Sequence, residues 1–593
     1  MTPGEARTPV LVGAGQITAR EPDDARTPID LIAEAARAAA ADCGVAGVLG
    51  QVRSLTCLNI LAPAYPDAPA SLAQRLGIDP GERFYTPIGG NMGQWLVGYY
   101  AGRIAGGELD CALIAGGEAL ATQMRGRSAG LSRVIDTASG EGPRLLGDER
   151  APTNRTEQGH GLDLPIQIYP LFEQALRARY GHDPVAHRQM LGELYARFSA
   201  VAASNPQAWR RESLSAADIA ERTPKNRMVG APYTKHLNAL IAVDQAAALV
   251  MMSAAKARQL GIDPERWVYP LAAASAHERW FVSERADLSR SPAITACGRR
   301  LLAAAGLAID EIDHLDLYSC FPSAVQIARD ALGIAAHDPR PLTVTGGLAF
   351  HGGPGNKYCT HAIAEVMARI RADRSATGLV SGVGWYMSKH SLGLYGGHPP
   401  SGGWQPVDTA GLQAEIDAGP GVDVVEQAEG TGRIETYTVM HDRTDRPVQG
   451  IVLGRLRDGR RFVANTPADQ DLLAAMTTEE FLDQPGRVAG DGRRLRAGEP
   501  ARRRRVRQGL AQGRHQAPEA ERLRRLHRRG RVPDREQVHV PEEARHPGRL
   551  QRRPARRRVH DPTAGPVRRV PAGRRRDGHA ALPQVHGRAI LGR

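Results

Sequence analysis

An α/β fold built from two related halves is predicted by three observations. Short apolar strands alternate with helices from residue 8 to about 400. The order Gly-Gly loop, helix, apolar strand, glycines occurs twice, first at Gly89-Gly90, 92–105, 111–115 and 116–117, then at Gly352-Gly353, 358–371, 378–381 and 382–384. The intervening residues, about 120–225, are polar and irregular, with turn glycines such as Gly126 and Gly130 and a few helices, as in an inserted loop domain.

The first half opens on the strand Pro9-Val-Leu-Val-Gly13. An Ala-rich helix follows from Pro28 to Ala41, with Thr27 as N-cap and Pro28 in the first helical position. Met92 to Ala105 reads as a helix, and Cys111-Ala-Leu-Ile-Ala115 as a buried strand. The second half repeats this with strands at Trp267–Ala272, His314–Tyr318 and Gly378–Ser381, and helices at about Ala293–Ala305 and Tyr358–Arg371. Pro399-Pro400-Ser-Gly-Gly403 is a linker. After it, Gly432–Met440, Val448–Leu456 and Arg461–Asn465 read as strands, the last two joined at the Asp458-Gly459 turn. The expected domains are 1–262, 263–400, a small β-rich domain at 405–487, and a tail at 488–593.

Composition bounds the function. The chain has 593 residues and is 42% hydrophobic but only 5% aromatic, so its core leans on Ala, Val, Leu and Gly. No run of 18 residues is apolar and uncharged, which argues against a membrane-spanning helix. The first residues carry no apolar secretory run. Six cysteines (43, 57, 111, 297, 320, 359) lack CxxC pairing, which argues against a zinc ribbon or disulfide framework and for a cytoplasmic location. The net charge of +13 is misleading, because residues 491–593 hold 30 Arg and 10 acidic residues. Residues 1–490 then hold 47 basic and 54 acidic side chains, a net of −7.

The tail has no Phe, Tyr, Trp, Met, Cys, Ser, Asn or Lys, and is expected to be disordered because it cannot bury a core. The missing types are largely those with A/T-rich codons, and the whole chain has 5 Lys against 72 Arg. A GC-rich gene read out of frame accounts for this better than a nucleic-acid-binding or membrane-binding arm does.

Several strings resemble a known family. Gly89-Gly-Asn-Met-Gly-Gln-Trp-Leu96, Ile104-Ala-Gly-Gly107 and Leu113-Ile-Ala-Gly-Gly-Glu118 resemble the nucleophile helix of thiolases and its following strand. Ala242-Val-Asp-Gln-Ala-Ala-Ala248 resembles the segment that closes their first half. Tyr318-Ser-Cys-Phe321 is similar to the His-Asp-Cys-Phe string of the sterol-carrier-protein type. Gly346-Gly-Leu-Ala-Phe-His-Gly-Gly-Pro354 is similar to the Gly-Gly…Gly-His-Pro loop. In this order, with the β-rich addition, the strings resemble the thiolase-like protein type 1 group over about 8–487. The resemblance implies the thiolase fold and acyl-CoA chemistry.

The resemblance also locates departures. The nucleophile Cys position falls on Gly90, and the thioether of Met92 cannot be deprotonated to replace it. The catalytic His falls on Gly353, the second Cys on Ser381 or Gly382, and the oxyanion-hole Asn or His on Tyr318. The catalytic candidates are therefore substitutes: Tyr318 as proton donor or enolate stabiliser, and His351 swinging toward the site. Gly90, Asn91, Cys320, Gly352, Gly353, Ser381 and His390 are candidates for a CoA pocket, with open space at the two glycines and an oxyanion site at the helix entrance. Lys389-His390-Ser391 reads either as the mouth of the pocket or as a solvated turn. Cys111 and Cys359 read as core, and Tyr358 as packing. No metal site is expected.

The expected function is binding of a CoA thioester without covalent capture, with CoA or acyl-CoA as ligand and ordinary thiolysis absent. One alternative is a Tyr-dependent retro-aldol lyase on a CoA thioester. Its second tyrosine position falls on Gly353, and residues 405–487 would stand in for its separate β-barrel partner. The other is a non-catalytic CoA-binding scaffold. The resemblance to thiolases implies a homodimer, against which the added domain counts, and no membrane or nucleic-acid partner is expected.

Overall fold

The computed structural model describes residues 2–21, 26–128, 142–489 and 494–497. Two sheets carry the two halves. The first runs in the order Pro9–Thr18, Asp244–Ser253, Cys111–Ala119, Ser54–Cys57, Glu82–Tyr85, Arg144–Leu145. The second runs Tyr269–His277, Lys389–Gly396, Thr377–Gly384, His314–Asp316. In each, the first three strands pair antiparallel and the fourth joins parallel. The matching order and direction of four strands confirm the duplication read from the glycine pattern.

Helices Met92–Ala105 and Tyr358–Ala372 lie between the sheets and share one buried core with both. Helix Pro28–Asp42 covers the outer face of the first sheet, and Pro292–Ala305 the outer face of the second. The result is five alternating layers. Thr27 caps the Pro28 helix through a reciprocal pair with Asp30. Gly15 lets that helix approach: a side chain there would stand 2.5 Å from Ala39 N.

The described part of the inserted segment is largely helical. Pro165–Tyr180 and Pro184–Ser204 are long helices, each opened by a proline. Gly126, read as a turn glycine, lies inside the helix Leu120–Ser128, because the strand before it runs directly into that helix. Gly130 lies outside the described residues, as do 498–593, so the reading of the Arg-rich tail falls there. The strand expected at Trp267 begins at Tyr269. Trp267 is instead buried beside it, its indole N–H donating to Ile262 O at 3.2 Å. Lys389-His390-Ser391 is neither a turn nor solvated: it begins the buried strand Lys389–Gly396. Among the described residues, no helix is long and apolar enough to cross a membrane.

The C-terminal β-rich region does not stop at its expected borders. Its sheet contains Gly430–His441, Pro447–Leu456 and Arg461–Asn465, and also takes in Met228–Gly230 and Tyr233–Thr234 from before the second half. Met440 pairs with Gly230, and Thr436 Oγ1 donates to Leu171 O at 2.6 Å. Arg461 is fully buried and joins the layers. Its guanidinium pairs with Glu435 and donates to Ser283 O (2.9 Å) and Arg285 O (2.5 Å). Removing one side of a buried pair leaves the other groups desolvated and unpaired. Arg461→Met is therefore expected to destabilise the protein by about 3 kcal/mol, read as a fall in C_m at unchanged m in urea unfolding.

Candidate active site

The two central helices begin side by side. Gly89 N donates to Asn356 Oδ1 at 2.8 Å, and Asn356 Nδ2 donates to Asn59 O at 3.1 Å. The glycine loop of one half is thus bonded to that of the other. Next to this contact, Lys357 forms an ion pair with Glu118, both fully buried. Burial pushes the lysine pKa down and the carboxyl pKa up, and each is opposed by the other's charge.

The residues at the departing positions converge here. A Cβ built on Gly90 would overlap the Tyr318 hydroxyl and stand 2.6 Å from Tyr318 Cζ and from Val383 O. The open space expected at Gly90 is therefore filled by the Tyr318 phenol. Tyr318 N donates to Ser381 Oγ at 2.9 Å, which brings three of the candidates together. The Cys359 thiol donates to Gly90 O at 3.0 Å and lies 3.6 Å from Ser381 O. A Cβ on Gly382 would stand 2.9 Å from its sulfur. One thiol thus sits between the two positions where the resemblance expects cysteines. Burial pushes its pKa far above the thiol range, so it remains a thiol at neutral pH. Burial likewise keeps Tyr318 a neutral phenol, with no hydrogen-bond partner for its hydroxyl among the described residues.

His351 lies apart from Tyr318. Its ring packs edge-on to Tyr358 (5.9 Å) and His361 (5.0 Å), and Tyr358 packs edge-on to Tyr318 (5.5 Å). Tyr358 therefore stands between the two catalytic candidates, tied by its hydroxyl to Thr345 Oγ1 at 2.5 Å. His351 is fully buried, which lowers its pKa to about 4, and its Nε2 has no partner. Gly352 has φ +116° and its backbone packs against Gln245, leaving no room for a side chain. At Gly353 a Cβ would meet only Leu348 (3.4 Å) and Ala239 (3.5 Å) at ordinary contact distance, so this glycine faces apolar groups. Cys320 is half-buried, and its carbonyl accepts from Ala239 N at 3.2 Å, which places it on that same side.

Asn91 and His390 fall on opposite faces of the strand Lys389–Gly396. Asn91 precedes the Met92 helix but does not cap it; its Nδ2 donates to Ser391 Oγ at 3.1 Å, and its Oδ1 is buried without a partner. His390 points the other way, its Nε2–H donating to Met387 O (3.0 Å) beside Glu278 and Arg285. The sequence reading did not single out Lys389 alone. It is 6% exposed, and its Nζ lies 2.8 Å from Ile88 O, at the entrance of the Met92 helix. It reaches there because the turn before it is sharp: Trp385 and Met387 take left-handed φ of 54° and 52°. Such strain persists only where the surroundings hold it, here through the Tyr169 hydroxyl on Trp385 O (2.9 Å) and Arg285 on Tyr386 O (2.9 Å). No local sequence signal marks these contacts.

Two layered halves meeting at paired glycine loops define a thiolase-fold protein. The family model for the thiolase-like protein type 1 additional C-terminal domain matches residues 411–493. A crystal structure of a monomeric SCP2-thiolase-like protein type 1 from Mycobacterium smegmatis is 36% identical, with a TM-score of 0.72. That match covers 83% of this chain and 99% of the other. The chain belongs to the SCP2-thiolase-like protein type 1 family. An Ltp2–ChsH2(DUF35) aldolase shares the fold at 18% identity and a TM-score of 0.52, over 66% of this chain and 99% of that one. A search of curated protein sequences found no match.

Two outcomes follow from this geometry. Gly90→Ala must displace Tyr318 and is expected to cost about 1–3 kcal/mol, as overpacking does. Tyr318→Ala in the same chain should recover part of that loss, a coupling that a double-mutant cycle on urea unfolding measures. The second outcome concerns pH. His351 is held neutral in the fold, so the unfolded chain binds one more proton between its usual pKa of 6.5 and about 4. That group's contribution makes stability fall as pH falls through this window. His351→Gln is expected to reduce the slope of stability against pH there by about 1.4 kcal/mol per unit, measured against wild type.

Proposed function

We propose that this protein binds acyl-CoA thioesters without forming an acyl-enzyme. The observation that carries the reading is the Tyr318 phenol lying where a side chain on Gly90 would stand. The helix entrance keeps its backbone N–H groups but has no thiolate to attack a thioester carbonyl. The nearby Cys359 thiol supports the same reading, because it is protonated and donates to a backbone carbonyl. The ligand would be CoA or an acyl-CoA, held noncovalently, by a chain acting in the cytoplasm, in lipid metabolism, as a monomer or homodimer. Membrane and nucleic acid are not partners in this reading.

A second reading is favoured by Tyr318 itself. A neutral phenol with a free hydroxyl is suited to donate to a thioester carbonyl as an enolate develops during retro-aldol cleavage. The apolar surroundings of Gly353 leave that lyase without its second tyrosine. The non-catalytic scaffold remains as a third reading, in which binding occurs and no bond is broken.

Titration calorimetry should show CoA or acetyl-CoA binding, and acetoacetyl-CoA should undergo no thiolysis. Intact-protein mass spectrometry after acetyl-CoA treatment should show no acetyl adduct; a stable adduct on any of the six cysteines overturns the noncovalent reading. Under the lyase reading, Tyr318→Phe abolishes cleavage of a β-hydroxyacyl-CoA and leaves CoA binding intact.

A further inference from the structure

The amine of Lys389 is placed differently from that of an ordinary buried lysine. Its Nζ has two partners, Ile88 O at 2.8 Å and Asp148 O at 3.3 Å, and both are backbone carbonyls. No carboxylate pairs with it among the described residues; the Asp148 side chain pairs with Arg150. A neutral amine has two N–H bonds and one lone pair, so two acceptors satisfy both of its donors and leave the lone pair uncommitted. An ammonium would carry a third hydrogen without a partner in a site 6% exposed. A Cβ built on Gly89 would stand 3.0 Å from this Nζ and 2.7 Å from Asn91 Oδ1, the buried oxygen that has no partner. The amine and the unpaired amide oxygen therefore flank the same glycine, one residue from Gly90 and the Tyr318 phenol.

We propose that Lys389 is an imine-forming lysine that condenses with the ketone of a β-ketoacyl thioester at the entrance of the Met92 helix. The neutral Nζ attacks the ketone carbon and forms a C–N bond, and the ketone oxygen takes up a proton to give a carbinolamine. Loss of water breaks the C–O bond. In the net step both hydrogens of the amine leave with that oxygen as water and a neutral imine remains; uptake of one proton from solvent gives the iminium that a hydride donor reduces. The thioester stays intact and no electrons are transferred to or from the protein. The tertiary structure supplies what the step requires: an amine whose two N–H bonds are held by two carbonyls so that its lone pair is left uncommitted, a phenol able to donate to the substrate oxygen, and Asn91 Oδ1 to accept from the carbinolamine hydroxyl.

Burial supports this placement by lowering the lysine pKa to about 8, with Asp148 raising it and Arg150 lowering it. The neutral fraction therefore grows as pH rises through about 8. Among the described residues, the charged groups acting on the amine are these two, and Arg150 is itself held over the Trp280 ring at 3.8 Å.

The inference rests on the thioester reading above for its substrate class, and its test separates the two. The full chain is incubated with acetoacetyl-CoA and sodium cyanoborohydride at pH 7 and pH 9, then digested and mapped. In parallel it is treated with S-ethyl acetothioacetate, which carries the same ketone without CoA. A reduced adduct on Lys389 is expected with both probes, greater at pH 9, and lost in Lys389→Met and Lys389→Arg while CoA binding by calorimetry persists. An adduct with the ethyl thioester alone, with no CoA affinity, upholds the imine and removes the CoA reading. CoA binding with no adduct at either pH overturns the imine and leaves the CoA reading standing. An adduct that forms without reductant is amide acylation, and adducts spread over Lys225, Lys235 and Lys256 are surface chemistry; either outcome also overturns it. Should both variants unfold, native-state protection settles the point: acetoacetyl-CoA with reductant must block Lys389 from later acetylation by acetic anhydride in the wild-type chain.

Discussion

The constraint on which the structure depends is that two helices begin at one place between two sheets. Gly89 N on Asn356 Oδ1 fixes that meeting, and the buried Lys357–Glu118 pair holds the second loop against the first sheet. Backbones brought this close leave little room for side chains. Gly89 and Gly384 face Asn91 and Lys389, and Gly382 faces Asn91 and Cys359. Substituting any of them would push these groups apart. The glycines are therefore a packing requirement as much as a chemical departure.

That packing also gives a physical account of the glycine at position 90. A glycine in a packed interior leaves a void unless a neighbour fills it, and an unfilled void lowers stability. Here Tyr318 fills the volume at Gly90, and the Cys359 sulfur fills the volume beside Gly382. A phenol, a protonated thiol and an amine meet around these glycines, all largely buried. Burial pushes the first two toward their neutral, proton-carrying forms and lowers the pKa of the amine.

The added β-rich region belongs to the same constraint. Strands Met228–Gly230 and Tyr233–Thr234 enter its sheet just before the segment Ala239-Leu240, whose backbone bonds to Cys320, Leu348 and Gly353. Arg461 reaches the carbonyls of Ser283 and Arg285, and Arg285 in turn holds the turn that delivers Lys389. The region thus braces two sides of the site through buried backbone contacts and is a poor candidate for a freely moving module.

Much of the fold was legible in the sequence because it rests on local patterns. The Ala-rich Pro28 helix with its Thr27 cap, the Met92–Ala105 helix and the strand Arg461–Asn465 follow from capping residues, apolar runs and turn glycines. The repeated glycine order announced the duplication, and the resemblance to thiolases, position by position, assigned Gly90, Tyr318 and Ser381 to one site. Sequence distance could not decide orientation. His351 looked close to the site along the chain, yet Tyr358 stands between it and Tyr318. His390 and Lys389 are adjacent residues that alternation along a strand sends to opposite faces, so only the sheet's placement decides which one meets the helix entrance. Whether Gly90 leaves space or receives a neighbour's ring depends on contacts between residues more than 200 positions apart, and those exist only once the layers have packed.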